Sequence, residues 1–318
     1  MASPGEPVAS EGVAAERTRR LLKRVVRGLV RRVTSAGRRR APHGRGARLV
    51  FVGGAPRSGT TLVQHILDSH PDVFGGPEFD CVPTLMESRR RVLEALNAGR
   101  ITVFCTRAQV DAAFTALVED LLLPVADAHH CRLLSEKTPY NVGVFDDLLD
   151  LLPGCRAVHV VRDPRAVVAS MLQVGARARR NGTPCPPWTA DVAEAIRFVR
   201  SQVDCGFRAS HNFQARVLTL TYEALVSDPE PHVRRLCDFL GLGFQPAMLR
   251  PEEREHPGQS EIDRLDRGTW LDPRLGYRAI EASRLGAWRN QLDAAQAAAV
   301  SAAFRDHEVL RVLGYTFD

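Results

Sequence analysis

The sequence predicts an α/β fold: a P-loop-like parallel sheet covered by helices on both faces. Two observations carry that reading. Short β-branched and aromatic runs alternate with longer stretches of helical periodicity, as in a sheet whose strands are buried on both sides. The first of these runs passes through a glycine-rich turn directly into a helix, in "FVGGAPRSGTTLVQHILDSHP" over 51–71. A length of 318 residues with 44% hydrophobic residues suffices for one large domain.

The elements follow in order. Residues 1–16 are small and polar and carry no periodicity. "RTRRLLKRVVRGLVRRV" over 17–33 sets Leu21, Leu22, Val25, Val26, Leu29, Val30 and Val33 at helical spacing, with arginines on the other face. A helix lying on an anionic membrane surface has this pattern, as does a tail helix packed on its own domain or on a partner. "SAGRRRAPHGRGA" over 35–47 reads as a linker. Residues 1–46 are thus expected to form a basic, partly disordered arm, and residues 47–318 the folded domain.

In that domain "RLVFVGG" over 48–54 reads as a buried strand, and "TTLVQHILDSH" as a helix stopped by Pro71. "RAVHVV" over 156–161 is a second strand. "PRAVVASMLQV" is a second helix, with Pro164 in its first turn. "ARVLTLTY" over 215–222 is a third strand, and "EPHVRRLCDFLGL" a third helix ending near Gly241. The alanine-rich stretch near Ala294 is a further helix. Residues 176–188 and 251–276 read as long polar loops, which in compact domains often act as lids; they are expected to shape an acceptor pocket. Ligands of such sheets sit at the carboxyl ends of the strands.

The charge is uneven. Residues 1–50 hold thirteen Arg or Lys against three Glu, so the overall +6 leaves the remainder at about −4. A mildly acidic body is not that of a general nucleic-acid binder. The seven cysteines stand singly, without CxxC pairs, which points to a reducing, cytoplasmic setting and away from a disulfide framework or zinc site. No run of about 18 apolar residues suggests a membrane span.

In "GAPRSGTT", Gly53 and Gly54 allow a sharp turn after the strand, and Gly59 lets backbone N–H groups approach an anion. The helix that begins near Thr60 directs its positive end to the same place. Ser58, Thr60 and Thr61 add hydroxyls, and Arg57 a forked cation. Thr60 occupies the position of the lysine that a nucleotide triphosphatase needs, and "VVRDP" puts Arg162 where a metal-binding aspartate would be sought. A diphosphate-like ligand held without an obligatory metal fits better than the alternative, a P-loop kinase-like enzyme with a divergent loop.

Among 43 basic residues only Lys23 and Lys137 are lysine. Lys137, in "SEKTPYN", is therefore the body's single lysine. Arginine does not give up its proton, whereas lysine can act as an acid. The preference for arginine also suits a bacterial genome rich in G and C.

Four motifs, in this order, resemble those of the sulfotransferases. "APRSGTTL" is similar to their 5′-phosphosulfate loop. "VVRDPRAVVASM" is similar to their 3′-phosphate segment, and "EKTP" and "LTYEAL" fall at the family's approximate spacing. The resemblance covers roughly residues 49–317 and is strongest to the tyrosylprotein sulfotransferases and related bacterial enzymes. It implies the sulfotransferase fold, with 3′-phosphoadenosine 5′-phosphosulfate (PAPS) as donor, its desulfated form PAP as product and an acceptor hydroxyl on a small molecule, sugar, lipid or protein tyrosine. It further implies that Arg57, Ser58, Gly59, Thr60 and Thr61 hold the 5′-phosphosulfate, that Arg162 and Ser170 hold the 3′-phosphate, and that Tyr222 lines the nucleotide pocket. Lys137 would stabilise or protonate the leaving oxygen.

Glu78, in "FGGPEFD", matches the position of the tyrosylprotein enzymes' glutamate, which implies a general base. The histidine base of the cytosolic enzymes would fall on Pro139 here. The tyrosylprotein enzymes' late tryptophan corresponds to Trp288, but Ala287 replaces the lysine before it, leaving Arg284 or Arg289 to supply the charge. Related enzymes are often dimers, so a homodimer is an expectation, as is peripheral contact of residues 17–33 with the inner face of a membrane.

Overall fold

The computed structural model describes residues 45–257 and 279–317. One compact unit spans Gly44–Asp318, and the other, Met1–His43, lies outside the described residues. The expectations for the membrane-facing helix at 17–33 and for most of the second insert therefore fall outside as well. The compact unit starts earlier than the linker reading put it. Arg45–Arg48 form a 3-10 turn in which Gly46 is buried, and Arg48 pairs with Asp127 at 2.5 Å.

Five strands form one sheet in the order β2-β3-β1-β4-β5: β1 Leu49–Gly53, β2 Val73–Gly75, β3 Leu133–Lys137, β4 Arg156–Val161 and β5 Val217–Thr221. Every pair is parallel. All carboxyl ends thus lie on one edge, and β1, flanked by β3 and β4, marks where the strand order reverses.

Strand β1 shows why both faces are covered. Leu49 and Phe51 join the core cluster built with Val118, Leu122 and Leu148. Val50 and Val52 join the opposite one, with Val63, Ile66, Val233 and Leu236. Side chains alternate along a strand, so a run without polar residues must be capped by helices on each side. One face carries α2 (Val82–Asn97), α3 (Arg107–Ala128) and α4 (Phe145–Leu151); the other carries α1 (Thr60–Asp68) and α8 (Pro229–Leu240). A third cluster joins α5 (Pro164–Asn181), α6 (Val192–Asn212), α9 (Ala294–Phe304) and α10 (Glu308–Val312). The short α7 (Tyr222–Ser227) follows β5.

Some boundaries differ from the sequence reading. Residues 176–181, expected in a loop, continue α5 to a C-cap at Gly182 with φ 63°, the left-handed position that favours glycine. Tyr222, expected at the end of a strand, opens α7. Among the described residues no helix is long and apolar enough to cross a membrane.

Candidate active site

The turn after β1 is shaped by close approaches. Gly54 N–H donates to Pro139 O at 3.0 Å, and Ser58 N–H to Ala55 O at 3.0 Å. Gly59 has φ 102°, and a Cβ there would come 2.5 Å from the Tyr222 ring, so only glycine fits. Arg57 also takes a positive φ, 76°, a conformation that costs free energy and tends to occur at functional sites. Helix α1 has Gly59 as its N-cap with no side-chain hydrogen bond, and its first amides face the turn. Ser58 is 1% exposed and its Oγ has no partner. A buried hydroxyl without a partner costs free energy unless a ligand satisfies it.

The other expected residues converge here because their strands end on this edge. Lys137, the last residue of β3, lies opposite Val52 of β1. Its Nζ donates to Glu78 Oε1 at 2.5 Å and to Thr61 Oγ1 at 3.3 Å. The Lys137 side chain is 7% exposed and that of Glu78 40%. An ammonium has three N–H bonds, so one direction remains for a ligand.

From the end of β4, Arg162 donates through Nη1 to Arg57 O at 3.2 Å and lies over the Tyr222 ring at 4.3 Å. Its Nε is buried without a partner. Arg57 Nε donates to Ser170 Oγ at 3.1 Å, joining the turn after β1 to α5. The two groups of residues that the sequence assigns to separate phosphates are therefore contiguous.

The late tryptophan is flanked by cations. Arg165 and Arg289 lie over the Trp288 ring at 4.5 and 4.6 Å. Arg284 contributes a carbonyl that accepts from Ala287 N–H at 3.2 Å. Of the two arginines expected near Trp288, Arg289 lies over its ring; Arg165, paired with Asp163 at 2.9 Å, packs there as well and was not anticipated.

Two other carboxylates were missed. Asp80, with φ 57°, lies two residues after Glu78, and burial together with the charge of Glu78 pushes its carboxyl above the usual range. Glu223 accepts from Asp163 N–H at 3.0 Å and from the Tyr315 hydroxyl at 2.5 Å, which fixes the turn that bears Arg162. The "TYEAL" motif held that signal, but only Tyr222 was drawn from it. A small cleft opens beside Lys137 and Glu78, between Thr61, His65, Pro77 and His256. The His65 and His256 rings stack there at 4.0 Å, so one residue from the start of the second insert lines this cleft.

The model of the sulfotransferase family matches residues 50–246. The chain belongs to the sulfotransferase family. It is 30% identical over 231 residues to protein-tyrosine sulfotransferase 2 of Gallus gallus, covering 70% of this chain and 58% of that one. It is 28% identical over 273 residues to nodulation protein NoeE of Sinorhizobium fredii, covering 77% and 60%. The chain thus spans about three fifths of the length of both relatives. Among solved structures, the sulfotransferase domain from the curacin biosynthetic pathway superposes with a TM-score of 0.55 at 18% identity, covering 80% of this sulfotransferase and 95% of that domain. The shared fold is therefore that of sulfotransferases, and family membership decides against the kinase-like alternative.

Proposed function

We propose that the protein moves a sulfuryl group from PAPS to an acceptor hydroxyl, with Glu78 as general base and Lys137 as the group that eases departure. The observation that carries this reading is the contact of Lys137 Nζ with Glu78 Oε1 at 2.5 Å, beside Thr61 at the start of α1. An acid and a base thus meet where an anion cradle opens.

The residues present fit the donor. Ser58 Oγ and Arg162 Nε are buried without partners, and at Gly59 a Cβ would strike Tyr222. PAPS supplies an activated sulfate whose leaving group is a nucleotide phosphate. Ser58, Thr60, Thr61 and the first amides of α1 would bind the 5′ end. Arg162 and Ser170 would bind the 3′-phosphate, and Arg57, bonded to Ser170, lies between the two. Tyr222 and Trp288 offer ring surfaces to the nucleotide. Glu78 takes the proton of the acceptor hydroxyl as its oxygen bonds to sulfur. Lys137 directs an N–H at the oxygen from which sulfur departs, countering the charge that develops there. A sulfuryl group carries less charge than a phosphoryl group, so a cradle lacking the triphosphatase lysine is adequate.

The cleft beside Glu78 is the route for the acceptor, and His256 brings the second insert into its wall. A ³⁵S-PAPS transfer assay on fractionated extracts of the source cell tests the function. Labelled product from residues 44–318 alone supports it. Preferential binding of ATP and Mg²⁺ over PAPS would overturn it.

A further inference from the structure

Glu136 precedes Lys137 in β3 and points to the opposite side of the strand. It is 3% exposed. A carboxylate so buried is costly unless its oxygens are hydrogen-bonded, and here they are. Oε2 accepts from Asn141 Nδ2 at 2.5 Å. Oε1 accepts from the Thr138 hydroxyl at 2.7 Å and from Phe79 N–H at 3.2 Å. The third bond matters most, because Phe79 follows Glu78. Thr138 in turn accepts from Asp80 N–H at 3.1 Å. On the other flank, Asp68 Oδ1 accepts from Gly75 N–H at 2.8 Å and Gln64 Nε2 donates to Gly76 O at 3.2 Å.

The segment bearing Glu78 is thus bonded through its backbone on both sides, and its C-terminal side rests on Glu136 and Thr138. The Glu78 side chain is 40% exposed, and it accepts a hydrogen bond from Lys137. A general base must stay within hydrogen-bond reach of the proton it takes, and loss of about 1 Å in placement is costly.

We infer that Glu136 is a positioning residue for sulfuryl transfer: its carboxylate, with the Thr138 hydroxyl, clamps the Phe79 and Asp80 amides and so sets Glu78 against Lys137. This inference rests on the assignment of Glu78 as base. The triplet Glu136–Lys137–Thr138 then serves both halves of the chemistry, since alternation along one strand sends the lysine to the donor and its neighbours to the base segment.

The test compares Glu136→Leu, which removes the acceptors at similar volume, with Glu136→Gln, which keeps an oxygen for Phe79 N–H. Single-turnover transfer from PAPS, PAP affinity and amide hydrogen exchange are measured for each, alone and with Glu78→Gln. The expected result is at least a tenfold fall in rate for Glu136→Leu and PAP affinity within twofold of the parent. Exchange at residues 79 and 80 should be faster, the rate of Glu136→Gln should return to within threefold of the parent, and Glu78→Gln should show no added loss. A parent-like rate for Glu136→Leu, a loss that multiplies with that of Glu78→Gln, or an equal weakening of PAP overturns the inference while leaving the base assignment standing. A parent-like rate for Glu78→Gln overturns both. Should Glu136→Leu not fold, Thr138→Val is judged by the same rate, affinity, exchange and double-variant criteria.

Discussion

Lys137 Nζ donates to Glu78 Oε1 at 2.5 Å across 59 positions of sequence. Neither residue is placed by its own neighbourhood alone. Lys137 ends a central strand, while Glu78 stands on the segment after the edge strand β2, beyond α1. The parallel sheet delivers both to one edge, and Thr61 bonds the same ammonium to the first turn of α1.

Gly59→Ala should damage the cradle. The residue has φ 102°, and its new Cβ would lie 2.5 Å from the Tyr222 ring. Backbone strain alone is worth about 1–2 kcal/mol, and the ring must also move. Urea denaturation should report a loss of at least this size, and titration with PAP at least a tenfold weakening. Unchanged stability and affinity would mean that the turn is not constrained as described.

Arg162→Ala should discriminate between nucleotides. Arg162 is held by Arg57 O and the Tyr222 ring, with its Nε left for a ligand. Hydrogen bonds to a charged group are worth about 1.5–3 kcal/mol, so PAP should weaken tenfold or more while adenosine 5′-phosphate changes little. Calorimetric titration of the two ligands checks this; equal losses would place the 3′-phosphate elsewhere.

Glu78→Gln should slow transfer without loosening the donor. General base catalysis contributes about 10²–10⁴-fold, and a fall in that range with PAP affinity preserved is expected in single-turnover assays.

His159 should make the fold acid-labile. It is 1% exposed in β4, with no partner for either ring nitrogen, and burial pushes its pKa down to about 3. Below the usual value near 6.5 the unfolded chain takes up a proton that the folded protein refuses. Stability is therefore lost as the pH falls from about 6.5 towards 3, at up to about 1.4 kcal/mol per pH unit from this residue. In His159→Phe the denaturation free energy should lose that slope. A slope equal to the parent's would assign the acid sensitivity to other groups.

Much of this could be read in the sequence. β1 is an unbroken apolar run ending in glycine and β4 is one interrupted only by His159 after its opening Arg156, and the glycine-rich turn after β1 announces itself by composition. β2 has only three residues and β3 reads "LLSEK", too short or too polar to register as buried strands. In β3 those polar residues are satisfied by distant groups: Ser135 Oγ donates to Gln64 Oε1 at 2.6 Å, and Glu136 takes the bonds described above. A local pattern cannot show such pairing. Asp80, Glu223 and Arg165 escaped notice for the same reason, since each acts through a contact that only the fold creates. Lys137 stood out as the body's single lysine, and Glu78 through the resemblance of its motif; spacing alone would not have joined them.

The central claim is that Lys137 eases the departure of the sulfuryl group's former oxygen while Glu78 accepts the acceptor's proton. Single-turnover transfer by Lys137→Arg, measured beside its PAP affinity, tests this most directly. The account predicts a rate lower by about 10²–10⁴-fold with PAP bound nearly as before, because a guanidinium keeps the charge but neither gives up a proton nor fits the ammonium's place. A variant that transfers at the parent rate would contradict it.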